Sequence, residues 1–193
     1  MKPSLLIYVH GFNSSPGSHK ASVMMQYCAE HRPDIRLIIP QLPHFPEQAA
    51  GQLAQLIETY RDDYQIGLAG SSLGGYFCTW LHATYGLPAV LINPAVKPYE
   101  LLVDYLGVQT NPYTHESYTL HSSHIEELKA IDVDTLSCPD DIWVLLQTGD
   151  ETLDYRQAVE KYQQAHLSIE PGGDHSFIDF ERYPERIIQF LNL

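Results

Sequence analysis

The stretch that decides the reading is "IGLAGSSLGGYF", Ile66–Phe77. An apolar run, Ile66–Ala69, gives way to two serines enclosed by glycines, and a segment with helical spacing begins at Leu73. Gly70-Ser71-Ser72-Leu73-Gly74 fits G-x-S-x-G, with Ser72 at the serine position. In such a turn the chain passes so sharply from strand to helix that the serine is strained at the tip, and a β-carbon at the flanking glycines would collide with backbone. Ser71 would need a small residue where Leu73 stands, so the frame selects Ser72. The patterns G-x-x-x-x-G-K-[ST] and G-x-G-x-x-G are missing from this junction, which sets aside a phosphate-binding loop.

Around that turn, strands and helices alternate. The runs Leu5–Val9, Leu37–Ile39, Ile66–Ala69, Ala89–Ile92 and Ile142–Leu146 are continuously apolar, as strands covered on both faces are. His166–Ile169 alternates and reads as an edge strand. Helical spacing recurs at Lys20–His31, Pro46–Tyr60, Leu73–Tyr85, Asp154–Ala165 and Pro184–Leu191. Pro46-Glu47 has the form of a helix start, with proline first and an acid at the positive dipole end. The order predicts an α/β fold: a mainly parallel sheet of about six strands, joined by right-handed crossovers. Residues 93–141 break the rhythm. They are too long for an ordinary crossover and are expected to form a short cap or lid over a site. With 193 residues and no repeat, the chain reads as a single domain, 1–193.

Composition narrows the classes. Hydrophobic residues at 44% and charged ones at 18% exclude long disorder. The net charge of −13 repels phosphate backbones and anionic lipid, so no nucleic-acid partner is expected. Leu5–Val9 is too short for a signal-peptide core or a membrane span, and a cytoplasmic protein is expected. Cys28, Cys78 and Cys138 fit neither a disulfide framework nor a CxxC motif and are read as small buried apolar residues.

A serine hydroxyl is a poor nucleophile unless an imidazole takes its proton and a carboxylate holds that imidazole's tautomer. Of ten histidines, His175 lies in "PGGDHSF", after the last expected strand and before the last helix. That loop reaches the sheet's C-terminal edge after nucleophile and acid in chain order. For the acid, Asp150 in "LLQTGDETLDY" follows a buried strand at the same edge. Glu151 and Asp154 are rivals, the first expected to face solvent and the second to start a helix. Oxyanion donors are expected from the N–H of Leu73, after the nucleophile, and of Phe12 in "YVHGFNSSPGS". His10 is read as stiffening that loop. His115, His121 and His124 match no established ligand spacing, so no metal site is expected.

Taken in order, "YVHGFNSSP", "GSSLGGY", "NPAVKP", "NPYT", "LLQTGDE", "LDYRQA", "GGDHSF" and "FERY" give the chain an end-to-end resemblance to the YqiA-type bacterial esterases of the α/β-hydrolase superfamily. The resemblance implies the α/β-hydrolase fold and a Ser-Asp-His triad of Ser72, Asp150 and His175. It also implies a carboxylesterase or thioesterase acting on short acyl esters and acyl-CoA thioesters, with no metal or cofactor. A CoA substrate would need a local basic patch, for which Lys20 with Arg32 or Lys97 is the candidate. The same triad could serve a peptidase or a carbon–carbon bond hydrolase, and a hydrolase fold can also persist as a non-catalytic binding protein.

Overall fold

The computed structural model describes residues 2–193. The chain runs β1 (Ser4–Val9), α1 (His19–His31), β2 (Arg36–Ile38), α2 (Pro46–Tyr60), β3 (Gln65–Ser71), α3 (Leu73–Tyr85) and β4 (Ala89–Ile92). After α4 (Pro98–Leu101) come β5 (Gly107–Thr110), β6 (Ser117–Leu120) and α5 (Ser122–Ala130). It ends β7 (Ile142–Gln147), α6 (Tyr155–Lys161), β8 (His166–Glu170) and α7 (Pro184–Phe190). Six strands form one parallel sheet in the order β2-β1-β3-β4-β7-β8, and β5-β6 is a separate antiparallel hairpin.

The continuous apolar runs are explained by two cores, one on each face of the sheet. Leu5, Ile7 and Val9 of β1 pack with Leu53, Ile57, Phe77 and Leu81 from α2 and α3. Leu6 and Tyr8, pointing the other way, pack with Met24, Cys28, Ile187 and Ile188 from α1 and α7. The period-two alternation repeats in β7, where Val144 and Leu146 join the first core and Trp143 and Leu145 the second. Burying such a side chain fully is worth about 1.5–3 kcal/mol, so both faces must be covered. Helices do so, as expected.

Three expectations need adjustment. The helix expected over Asp154–Ala165 ends at Lys161, because the buried Tyr162 turns inward to share a hydrogen bond with Thr79 at 2.8 Å. Cys28 and Cys78 are buried, but Cys138 is exposed. It sits before Pro139 at the start of a short 3-10 turn outside the sheet, where no core surrounds it. Residues 93–141 carry more structure than their sequence suggests. They hold the hairpin and α5, anchored by a third cluster in which Tyr76 meets Leu102, Leu120, Ile125 and Leu128.

Candidate active site

Ser72 stands between β3 and α3 with φ 56° and ψ −120°, a left-handed φ that a serine adopts only under constraint. The constraint is local. A Cβ at Gly74 would overlap the carbonyl oxygen of Val9, and one at Gly70 would overlap that of Gly74, so the turn closes only with glycine at both positions. The Ser72 N–H donates to Ile92 O at 3.1 Å, and its carbonyl accepts from Ala95 N at 3.0 Å, which pins the turn to the end of β4. Ser71 remains in the strand and is buried.

His175 lies in the loop after β8 and Asp150 in the loop after β7. His175 Nε2 is 3.1 Å from Ser72 Oγ, and His175 Nδ1 is 2.8 Å from Asp150 Oδ2. The Asp150 side chain is 2% exposed and that of His175 24%. Asp150 Oδ1 accepts from the N–H groups of Thr152 and Leu153 at 2.9 and 2.8 Å, so the carboxylate is fixed in orientation and both oxygens are used. Asp154 caps α6 by accepting from Arg156 N and takes no part in this chain. Glu151 is exposed, yet its Oε2 accepts from the backbone N–H of His175 at 3.0 Å.

The histidine loop has further supports that sequence reading did not single out. Asn93, buried with φ 40°, donates through Nδ2 to Asp174 O at 3.0 Å and to His175 O at 3.3 Å, while its Oδ1 accepts from Gln147 N. Gln147 Oε1 accepts from Asp174 N at 3.2 Å and Ile178 N at 2.8 Å. Lys20 Nζ donates to Ser176 O at 2.9 Å. Burial brings the Lys20 ammonium down to about 8, against the pull of Asp174 and Asp150. The signal for Gln147 was there to be read, since a polar residue closing an apolar strand is buried and must find partners.

Phe12 and Leu73 lie beside Ser72 along one cleft. The Leu73 N–H opens α3, where no intrahelical acceptor exists, and neither it nor the Phe12 N–H has a partner among the described residues. His10 holds the Phe12 loop from below. It is buried, its Nδ1 lies 2.9 Å from Gly11 O and its Nε2 accepts from Leu42 N at 3.1 Å. Burial lowers its pKa, opposed by the Gly11 bond. The β5-β6 hairpin holds the loop from above. Tyr118 Oη donates to Asn13 Oδ1 at 2.6 Å, and Asn111 Nδ2 donates to Ser14 O at 3.0 Å.

The remaining histidines have other work. His124 Nδ1 accepts from His121 N at 2.9 Å at the start of α5, and its ring stacks on Phe45. Among the described residues, no group of three or more His, Cys, Asp or Glu is arranged to hold a metal ion.

The model of a family described as "Uncharacterised protein family (UPF0227)" matches residues 5–192. The chain belongs to UPF0227. A UPF0227 protein from Shewanella sp. (strain MR-7) is 32% identical over 101 residues, 51% of this chain and 55% of the relative. The chain thus spans about half the length of that curated relative. Among solved structures, Est1E from Butyrivibrio proteoclasticus with ferulic acid bound superposes with a TM-score of 0.77 at 16% identity, over 99% of this chain and 89% of that one. Alpha/beta hydrolase domain-containing protein 10 from mouse superposes with a TM-score of 0.74 at 15% identity, over 100% and 92%. At such identities the likeness is one of fold, and this UPF0227 chain has the α/β-hydrolase fold.

Proposed function

We propose that this protein is a serine hydrolase of small carboxylic esters. Ser72 is the nucleophile, His175 the general base and then acid, and Asp150 the carboxylate that holds the imidazole. The observation that carries this reading is the continuous chain from Asp150 Oδ2 through the two ring nitrogens of His175 to Ser72 Oγ, at 2.8 and 3.1 Å. A histidine engaged only for structure has no need to present its second nitrogen to a strained serine.

The steps follow from the geometry. Ser72 Oγ attacks the acyl carbon as its proton passes to His175 Nε2, and the carbonyl oxygen becomes an oxyanion facing the N–H groups of Phe12 and Leu73. Collapse breaks the bond to the leaving oxygen, which takes the proton from Nε2, and the acyl group stays on Ser72. Water then loses a proton to Nε2, attacks the acyl carbon and releases the acid with Ser72 restored. Acyl-CoA thioesters would follow the same steps with sulfur leaving. Residues 93–141 act as the cap, since Ala95, Pro98, Leu102 and Tyr105 line the cleft beside Ser72. No helix among the described residues is long and apolar enough to cross a membrane, which suits a small-molecule substrate reached from water.

The test is labelling by a fluorophosphonate probe together with p-nitrophenyl acetate hydrolysis. Wild-type protein is expected to take the label and turn over, and Ser72→Ala to do neither. A wild-type protein that stays unlabelled, or a Ser72→Ala variant that still turns over, would refute the assignment.

A further inference from the structure

Two clefts meet at Ser72, one almost wholly apolar and one of mixed lining rich in polar side chains. The first, of about 70 Å³, is lined by Phe12, Leu73, Pro98, Leu101, Leu102 and Leu153. The second, of about 370 Å³, is lined by Asn13, Ser14, Lys20, Tyr113, Glu151 and His175. Ser72 and Phe12 border both, but His175 borders only the second.

That asymmetry decides which half of an ester goes where. In the reading above, His175 Nε2 must hand its proton to the leaving oxygen, so the leaving group lies on the His175 side, in the large polar cleft. The carbonyl oxygen turns to the two N–H donors, and the acyl chain is left with the small apolar cleft. That cleft has about a fifth of the room of the other, so it takes only a short chain.

The second cleft offers hydrogen bonds of both kinds and carries one ammonium and one carboxylate, Lys20 and Glu151. Lys20 spends one donor on Ser176 O and lines the cleft together with Glu151, whose Oε2 accepts from His175 N. Tyr113 is half exposed, and His19 is paired with Glu181. A polyphosphate would meet a single ammonium beside Glu151 and Asp174 in a chain of net charge −13. A neutral group bearing many hydroxyls would meet donors and acceptors together.

We infer that the substrate is a short-chain acyl ester of a bulky polyhydroxylated alcohol. The inference rests on the serine-hydrolase reading and sharpens it.

The experiment measures kcat/KM for two series with the purified full chain. In p-nitrophenyl acetate, butyrate and octanoate, the value is expected to fall at least about tenfold from butyrate to octanoate, the scale of methylenes that do not fit. Among ethyl acetate, a monoacetylated hexose and acetyl-CoA, the hexose ester is expected to lead by about tenfold, as when buried polar groups find partners. Leu102→Ala, which enlarges the apolar side, is expected to restore octanoate relative to acetate, and Tyr113→Ala to narrow the lead of the hexose ester over ethyl acetate. Octanoate matching butyrate, acetyl-CoA or ethyl acetate matching the hexose ester, or an acyl profile unmoved by Leu102→Ala would overturn the inference. If the fluorophosphonate still labels Ser72 in that event, the serine-hydrolase reading survives alone; if labelling fails, both fall.

Discussion

Tyr118→Phe isolates the hold that the β5-β6 hairpin exerts on the Phe12 loop, which we propose supplies an oxyanion donor. The Tyr118 ring stacks on His44 with centroids 4.1 Å apart and meets Phe45 edge-on, so removing the hydroxyl leaves the packing in place. What is lost is the 2.6 Å bond to Asn13 Oδ1, next in sequence to Phe12. Burial raises the Tyr118 pKa to about 12, so the hydroxyl is a donor throughout any ordinary assay. One neutral hydrogen bond is worth about 0.5–1.5 kcal/mol net. If that energy holds the loop where the Phe12 N–H faces the developing oxyanion, kcat on p-nitrophenyl acetate falls roughly two- to tenfold. That lies well below the roughly hundredfold or greater cost of deleting a donor outright. KM should stay within about twofold, because the interaction is made in the transition state. Affinity for a boronic acid, which forms a tetrahedral adduct on serine, should weaken in step with kcat. A variant that loses the same stability in urea yet keeps wild-type kcat and boronate affinity would refute the reasoning, because the bond would then serve the fold and not the donor.

Two further outcomes follow from the same geometry. The Arg182 guanidinium, opposed by burial and aided by Tyr183 and Gln147, holds the Glu170 carboxyl at about 2 against an ordinary 4.5. A carboxyl depressed on folding adds stability that is full above its unfolded pKa and is lost as pH falls through 4.5 towards about 2; the urea midpoints of wild type and Glu170→Gln should therefore converge over that range, and a constant gap would refute the linkage. Gly74→Ala sets a methyl against the Val9 carbonyl, a backbone atom that cannot step aside, so unfolding free energy should drop by about 3 kcal/mol or more, and a variant within about 1 kcal/mol of wild type would show that the turn can relax.

Much of this was legible because it is local. Five strands could be read from apolar runs, since a strand covered on both faces needs no polar side, and Leu5–Val9 supplies side chains to both cores; the sixth, at His166–Ile169, could be read from its alternation. The turn at Ser72 could be read because only glycine fits at Gly70 and Gly74 whatever else the chain does. The hairpin could not, because β5 and β6 are four residues each and half of those are exposed, which leaves no hydropathic signature. Nor could the support that Asn93 gives the His175 loop, since its buried amide acquires meaning only from partners 54 to 82 residues away.

The sequence by itself determined which segments become strands and helices, and which serine stands at the strained tip, because hydropathy and backbone sterics act over a few residues. The tertiary structure decided which acid among Asp150, Glu151 and Asp154 faces the imidazole and which cleft is polar. It also decided that the β5-β6 hairpin grips the loop that carries Phe12. Those outcomes depend on the order β3-β4-β7-β8, which brings the loops after β3, β7 and β8 to one edge of the sheet. Strand order is a choice among long-range pairings, and no short stretch of sequence carries it.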